Sequence, residues 1–225
     1  KTGLFEKVVE LNQRLERLRQ FHANLSVGIA MVMSAFNQGK ENVILDYACE
    51  HLSFADFGVL YARGDTWDAE ATRINNAAYK NFIHRCRQRM KELSPSKSMT
   101  GRLFTAINMT ASSLLMESIV KDCYVTPCRA GKNMVIMDDE GTITPCEILE
   151  HYINIGRVRL NTAVLGNIRD YEYDIKKVLN TDHAREVVRY IEDSRCYCSF
   201  ECAMSVNVLY TPGLWPQVVN YFFRQ

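Results

Sequence analysis

The sequence predicts an α/β fold, and three observations carry that prediction. Amphipathic helical stretches alternate with continuous apolar runs of strand length through the first ninety or so residues. A short hairpin pattern follows in the second half. The composition, 47% hydrophobic and 24% charged in 225 residues, is that of an ordinary globular protein and excludes disorder, collagen and a pure coiled coil. The length suits one or two domains. With 27 Lys and Arg against 26 Asp and Glu the net charge is +1, so nothing electrostatic points to a nucleic-acid partner.

Leu4, Val8, Val9, Leu11, Leu15 and Leu18 recur at helical spacing among Glu, Lys and Arg, which predicts a helix over 4–21. The run LSVGIAMVMS at 25–34 suits a buried parallel strand. Asn37, Gln38 and Gly39 form a loop, 42–52 reads as a helix, and FGVLYA at 57–62 is a second buried strand ending at Arg63 and Gly64. A further helix covers 71–92. Ser34, Asn37 and Arg63 fall at strand C-termini, where α/β sheets and barrels place ligand sites; ordinary loop residues are the plainer alternative. The Ser-, Pro- and Lys-rich LSPSKSMT at 93–100 is a linker that divides the chain into 1–95 and 96–225.

Beyond it a helix is expected over 103–121. The segment MVIMD at 134–138, the turn residues Asp138 to Gly141 and Thr142-Ile143-Thr144 predict a β-hairpin with Gly141 at positive φ. Another helix covers 182–193. The aromatic tail of Trp215, Tyr221, Phe222 and Phe223 reads as core packing, and the five histidines lack metal-ligand spacing. No signal peptide is visible, and the apolar stretches at 30–33 and 218–219 are too short for a bilayer. A cytoplasmic protein with no membrane partner is expected. The start at Lys1 reads as a fragment of a longer chain.

The eight cysteines carry the chemistry. Cys49 and Cys86 sit in helical patterns as small hydrophobes. Cys128 precedes the hairpin and Cys146 follows it, so the hairpin should bring them together. Cys196, Cys198 and Cys202 form a tight group that can offer two more thiolates. Four convergent thiolates fit an iron–sulfur cluster or a structural zinc. The spacing lacks the paired Cys-x-x-Cys knuckles of zinc ribbons, and disulfides do not suit a cytosolic α/β chain.

These residues resemble a known pattern. Cys128, a twelve-residue gap to Gly141, then Gly141-x4-Cys146, then LGNIRD at 165–170 and CYCSFECAMSVN at 196–207, are similar to a SPASM or Twitch auxiliary-cluster domain of radical S-adenosylmethionine enzymes. The stretch from Phe5 through Asn37 to Arg63 and Gly64 resembles, less specifically, the last strands of their partial (β/α)6 barrel. The resemblance implies the C-terminal half of such a barrel followed by a small α+β domain. It implies an auxiliary 4Fe-4S cluster with Cys128, Cys146 and Cys202 as the firmest ligands, Cys198 as the fourth, and Cys196 or Cys123 able to substitute. Two fully thiolate-ligated clusters need more cysteines than are offered here, so the one-cluster Twitch form is implied.

The chain departs from the family in lacking the Cys-x3-Cys-x2-Cys that binds the reactive cluster. The resemblance therefore implies a C-terminal portion that does not itself cleave S-adenosylmethionine. In the intact enzyme a second 4Fe-4S cluster would reduce that cofactor, and a 5′-deoxyadenosyl radical would abstract hydrogen from a peptide or small-molecule substrate. The auxiliary cluster would move an electron or anchor the substrate. The implied reductant is a flavodoxin or ferredoxin. Ser34, Asn37 and Arg63 would then face S-adenosylmethionine. The competing function is a non-catalytic binding module stabilised by an iron–sulfur cluster or zinc.

Overall fold

The computed structural model describes residues 3–22, 24–62, 69–93 and 99–224. Arg63 and most of the expected linker lie outside the described residues. The chain divides into two compact units, Lys1–Ser96 and Lys97–Gln225.

The first unit is α/β. It runs α1 (Leu4–Arg19), β1 (Gly28–Met33), α2 (Glu41–His51), β2 (Asp56–Tyr61) and α3 (Asn76–Leu93). The strands pair in parallel from Gly28 opposite Asp56 to Met33 opposite Tyr61, with α2 as the crossover. Met33, Leu45, Phe57, Tyr79, Phe82 and Cys86 form the core. The third helix starts later than expected because Asn75 caps it: its Oδ1 accepts the N–H groups of Ala77 and Ala78 at 2.9 and 3.0 Å, and a 3₁₀ turn fills 69–72. Helix α1 forms where its periodicity places it, but its leucine stripe is not the buried face. Leu4, Leu11 and Leu18 are exposed. The helix is held instead through Asn12, which exchanges two hydrogen bonds with the Ser53 backbone at 2.8 and 2.9 Å.

The second unit is α+β. It contains α4 (Met99–Lys121), β3 (Ile136–Met137), β4 (Thr142–Thr144), α5 (Leu149–Asn154), β5 (Gly166–Asn167), α6 (Ile175–Leu179), α7 (Asp182–Asp193), α8 (Glu201–Leu209) and α9 (Trp215–Phe223). The expected hairpin is present, and β5 joins it antiparallel, with Ile143 opposite Gly166. Gly141 lies at φ +82, and a Cβ there would stand 3.1 Å from both Asn167 and Ile168, so the turn needs glycine on both counts. One core gathers Ile143, Leu149, Leu165, Val187, Ile191 and Phe200 on this sheet.

A second core joins α4 to α8 and α9 through Ile107, Leu115, Met204, Val208 and Val218, with Trp215, Tyr221 and Phe222 packed against it. The expectation that all apolar stretches are short does not hold for α4. It has 23 residues, and an 18-residue window within it has a mean hydropathy of 1.3, so it is long and apolar enough to cross a membrane by length and composition. Its hydroxyl residues interrupt the apolar run, and Thr105, Thr110 and Ser112 each donate to the carbonyl four residues back. Its buried face packs within the unit against α8 and α9.

The Cys86 thiol is pushed up to about 12, chiefly by burial, with Cys49 adding to the effect and Arg85 opposing it. In the unfolded chain that thiol ionises near ~8.5. Its contribution to stability is therefore complete below that pH and is lost as pH rises towards the folded value. The urea midpoint should fall as pH is raised from about 9 to 11. Cys86→Ala should flatten that slope, and an unchanged slope would assign the alkaline loss to other groups.

Candidate metal centre

Three separate segments carry the second unit's cysteines to the sheet core. Cys146 follows β4 and is buried in that core, and Cys128, Cys196 and Cys198 pack against it. Each is fixed by local backbone chemistry.

Cys128 opens a tight loop in which the Gly131 N–H donates to the Met134 carbonyl at 2.7 Å. Gly131 sits at φ +78, and a Cβ there would meet the Val188 side chain at 2.7 Å. The loop is pinned to α8, because buried Asn207 accepts the Arg129 N–H through Oδ1 at 2.7 Å.

Cys196 is set by the end of α7. Arg195 turns into the left-handed region at φ +51. Its N–H donates to the Glu192 carbonyl and the Cys196 N–H donates to the Ile191 carbonyl, both at 3.1 Å. That pair of bonds is a Schellman motif, which lays the residue after the left-handed one against the last apolar turn. The residue so placed is Cys196, and Ile191 is core. Helix α4 also ends in a left-handed residue: Asp122 has φ +44, and the Cys123 N–H reaches the Ser118 carbonyl at 3.3 Å. Cys202 lies in the first turn of α8 with its side chain exposed.

The thiols feel one another. Burial pushes the Cys196 thiol well up, and Cys128, Cys198 and Cys146 raise it further against the opposing Arg157 guanidinium. Burial also raises Cys128, with Cys146 adding and the Ala130 N–H opposing. The Tyr152 phenol is pushed up to about 12 by burial and by Cys198, with Arg157 opposing and Cys196 and Cys146 adding. Arg157 lies over the rings of Tyr152 and Tyr197 at 4.9 and 5.3 Å. It pairs with Asp122 at 3.2 Å, whose backbone carbonyl accepts the Tyr197 hydroxyl at 2.8 Å. A positive charge is thereby fixed beside the cysteines.

A narrow cleft beside them is lined by Thr126, Cys128, Cys196, Cys198, Phe200 and Met204, among others. The Thr126 hydroxyl is buried there with no hydrogen-bond partner. Thiolates are the donor type that a zinc or an iron–sulfur group takes. As they stand, no three His, Cys, Asp or Glu side chains among the described residues form a group that could hold a metal ion. Four sulfurs on one tetrahedral zinc would lie only ~3.8 Å apart, from Zn–S of about 2.3 Å. In a four-iron cluster each thiolate binds its own iron, and the sulfurs stand further apart.

In the first unit Ser34 and Asn37 lie at the end of β1 as expected. The Asn37 side chain is committed to its own turn: Oδ1 accepts the Ser34 N–H and Nδ2 donates to the Val32 carbonyl, both at 2.8 Å. Thr126, Tyr152, Arg157 and Tyr197 escaped the sequence reading. The only local signal for them was the proximity of Thr126 and Tyr197 to cysteines. No family model, curated protein or solved structure matches this chain.

Arg195 holds a conformation that glycine adopts without penalty. Arg195→Gly should raise stability by about 1 kcal/mol in urea denaturation. A destabilised variant would mean that the left-handed turn is not what holds Cys196.

Proposed function

We propose that the Lys97–Gln225 unit is an auxiliary-cluster domain of the SPASM/Twitch kind, and that the chain is the C-terminal part of a radical S-adenosylmethionine enzyme acting on a peptide or small molecule. The observation that carries this reading is that Cys128, Cys146, Cys196 and Cys198, from three separated segments, belong to or pack against one hydrophobic core and feel one another electrostatically. These four are the proposed ligands. Cys202, expected among them from the motif, sits exposed on α8, and Cys196 takes its place in this proposal.

A 4Fe-4S cluster held there would supply a one-electron site for passing charge to or from a substrate, or an anchoring iron for one. The chain's own residues do the rest. Phe200, Ala203 and Met204 line the cleft with apolar surface and limit water. Arg157 places a cation beside the thiolates and offsets their mutual repulsion. Cys128 and Cys146 flank the hairpin, so a bound group ties the hairpin to the α7–α8 connection. Flavodoxin- or ferredoxin-type proteins are the matching reductants. In the first unit Ser34 and Arg63 remain the proposed contacts to S-adenosylmethionine, and Asn37 shapes the turn that would present Ser34.

Iron, acid-labile sulfide and zinc measured on protein prepared without oxygen test this directly. About four iron and four sulfide per chain are expected. Cys146→Ala should lose them, and Cys86→Ala should keep them. Zinc without sulfide, or full iron in both variants, would overturn the reading, the former in favour of a zinc-stabilised binding module.

A further inference from the structure

Helix α1 carries an apolar seam that its own unit leaves largely uncovered. Leu4, Val8, Leu11, Leu15 and Leu18 follow one another at spacings of four and three in turn. That is a heptad repeat, with Leu4, Leu11 and Leu18 at its d positions and Val8 and Leu15 at its a positions. The helix meets its unit on a neighbouring face instead. Asn12 is buried there and bonded to the Ser53 backbone, and Val9 and Glu16 beside it are half-buried. Leu15 is half-buried too, but Leu4, Val8, Leu11 and Leu18 remain exposed, from 48% at Leu18 to 62% at Leu4. Next to the seam, the Phe5 ring rests on the Tyr47 ring of α2 at 5.3 Å, and Val43, one turn before Tyr47, is also exposed. The apolar surface therefore continues onto α2. A patch of this kind marks an interaction surface, and an a/d seam is the shape that accepts another helix.

The charges beside the seam select the helix. The e and g positions that flank a seam set partner choice and orientation. In α1 they hold Phe5, Lys7, Asn12, Arg14 and Arg19, so every charged flank is basic. The acids of the helix, Glu6, Glu10 and Glu16, all fall at b, c and f positions, away from the seam. Its bases are Lys7, Arg14, Arg17 and Arg19, four against three acids, a net charge of +1. The cations are placed rather than abundant, unlike the basic excess of a helix that lies on an anionic lipid surface. Arg14 pairs with Glu10 and Arg19 with Glu16 along the helix, but such exposed pairs are weak and compete little with carboxylates across an interface. A second copy of this chain would set Arg14 against Arg19 in a parallel pairing and Lys7 against Arg14 in an antiparallel one.

We propose that the α1 seam, with its extension onto α2, docks an amphipathic helix of a partner protein whose own apolar seam is flanked by Asp and Glu. The leucines supply the buried area, and Lys7, Arg14 and Arg19 supply the selection. This surface does not depend on what the cysteines of the second unit bind.

The probe is a labelled synthetic helix with Val and Leu at its a and d positions and Glu at every e and g position, titrated with the full chain and read by fluorescence anisotropy. A control helix carries Lys at the same flanks. The Glu helix should bind about tenfold more tightly than the Lys helix or better, since like charges set against each other across an interface are strongly disfavoured. The preference should fade near 1 M salt, where the screening length falls to about 3 Å. Leu11→Glu changes an exposed position, so the far-ultraviolet circular dichroism should be unchanged while Glu-helix binding is lost. Lys7→Glu combined with Arg14→Glu should turn the preference towards the Lys helix. Equal binding of the two helices, binding of neither, or a charge-reversed variant that keeps the wild-type preference overturns the proposal. So does a dimer of the chain alone in sedimentation that Leu11→Glu abolishes, which would make a second copy the occupant. Binding to vesicles of phosphatidylcholine and phosphatidylserine that Leu11→Glu abolishes would assign the face to lipid and would equally overturn it.

Discussion

The C-terminal turn of α7 is the constraint on which the candidate centre depends. Two backbone bonds close it, from Arg195 to Glu192 and from Cys196 to Ile191. Because Ile191 is buried in the sheet core, the same turn that ends the helix presses Cys196 against that core and aims the following residues at Cys128 and Cys146. The left-handed conformation at Arg195 costs about 1–2 kcal/mol for a residue with a side chain. The fold tolerates it, which is the pattern of local strain held in place by surrounding packing. The hairpin side is built on the same logic. Gly131 and Gly141 take positive φ at positions where a Cβ would strike Val188 or crowd Asn167 and Ile168. Backbone geometry thus places the sulfurs before any bound group is considered.

Electrostatics set what those sulfurs can do. Buried thiols that raise one another hold their protons in the free chain. A positively charged group that takes thiolates reverses that balance, and binding should release protons. Arg157, held by two tyrosines and Asp122, places positive charge beside Cys196, and Arg129 does the same beside Cys128. The surrounding apolar residues make each of these interactions stronger than it would be in water.

Much of the framework was legible in the sequence. Helices α2 and α7 and both hairpin strands lie within a residue or two of their expected places, because periodicity and Gly141 as a turn are local signals. Strand β5 has two residues, too few for any pattern, and exists through its ladder to β4. The short helices α5, α6 and α8 are likewise set by packing. The cysteines were legible as donors by residue type, and a recognised spacing suggested which would ligate. That spacing favoured Cys202 over Cys196, whereas the turn after α7 lays Cys196 against the core and leaves Cys202 exposed. Tyr152 and Arg157 carry no motif. Their roles come from neighbours many residues away, which a linear reading does not see. The leucine stripe of α1 shows the converse: a clear amphipathic pattern that its own unit leaves exposed.

The most direct test of the account is a map of which cysteines are shielded together. Protein prepared without oxygen would be alkylated before and after removal of bound iron with a chelator, and each cysteine read by mass spectrometry. The account predicts that Cys128, Cys146, Cys196 and Cys198 become reactive as a set only when iron is removed, while Cys202 reacts in both states. Shielding of Cys202 in place of Cys196, or four cysteines that respond independently of iron, would contradict it.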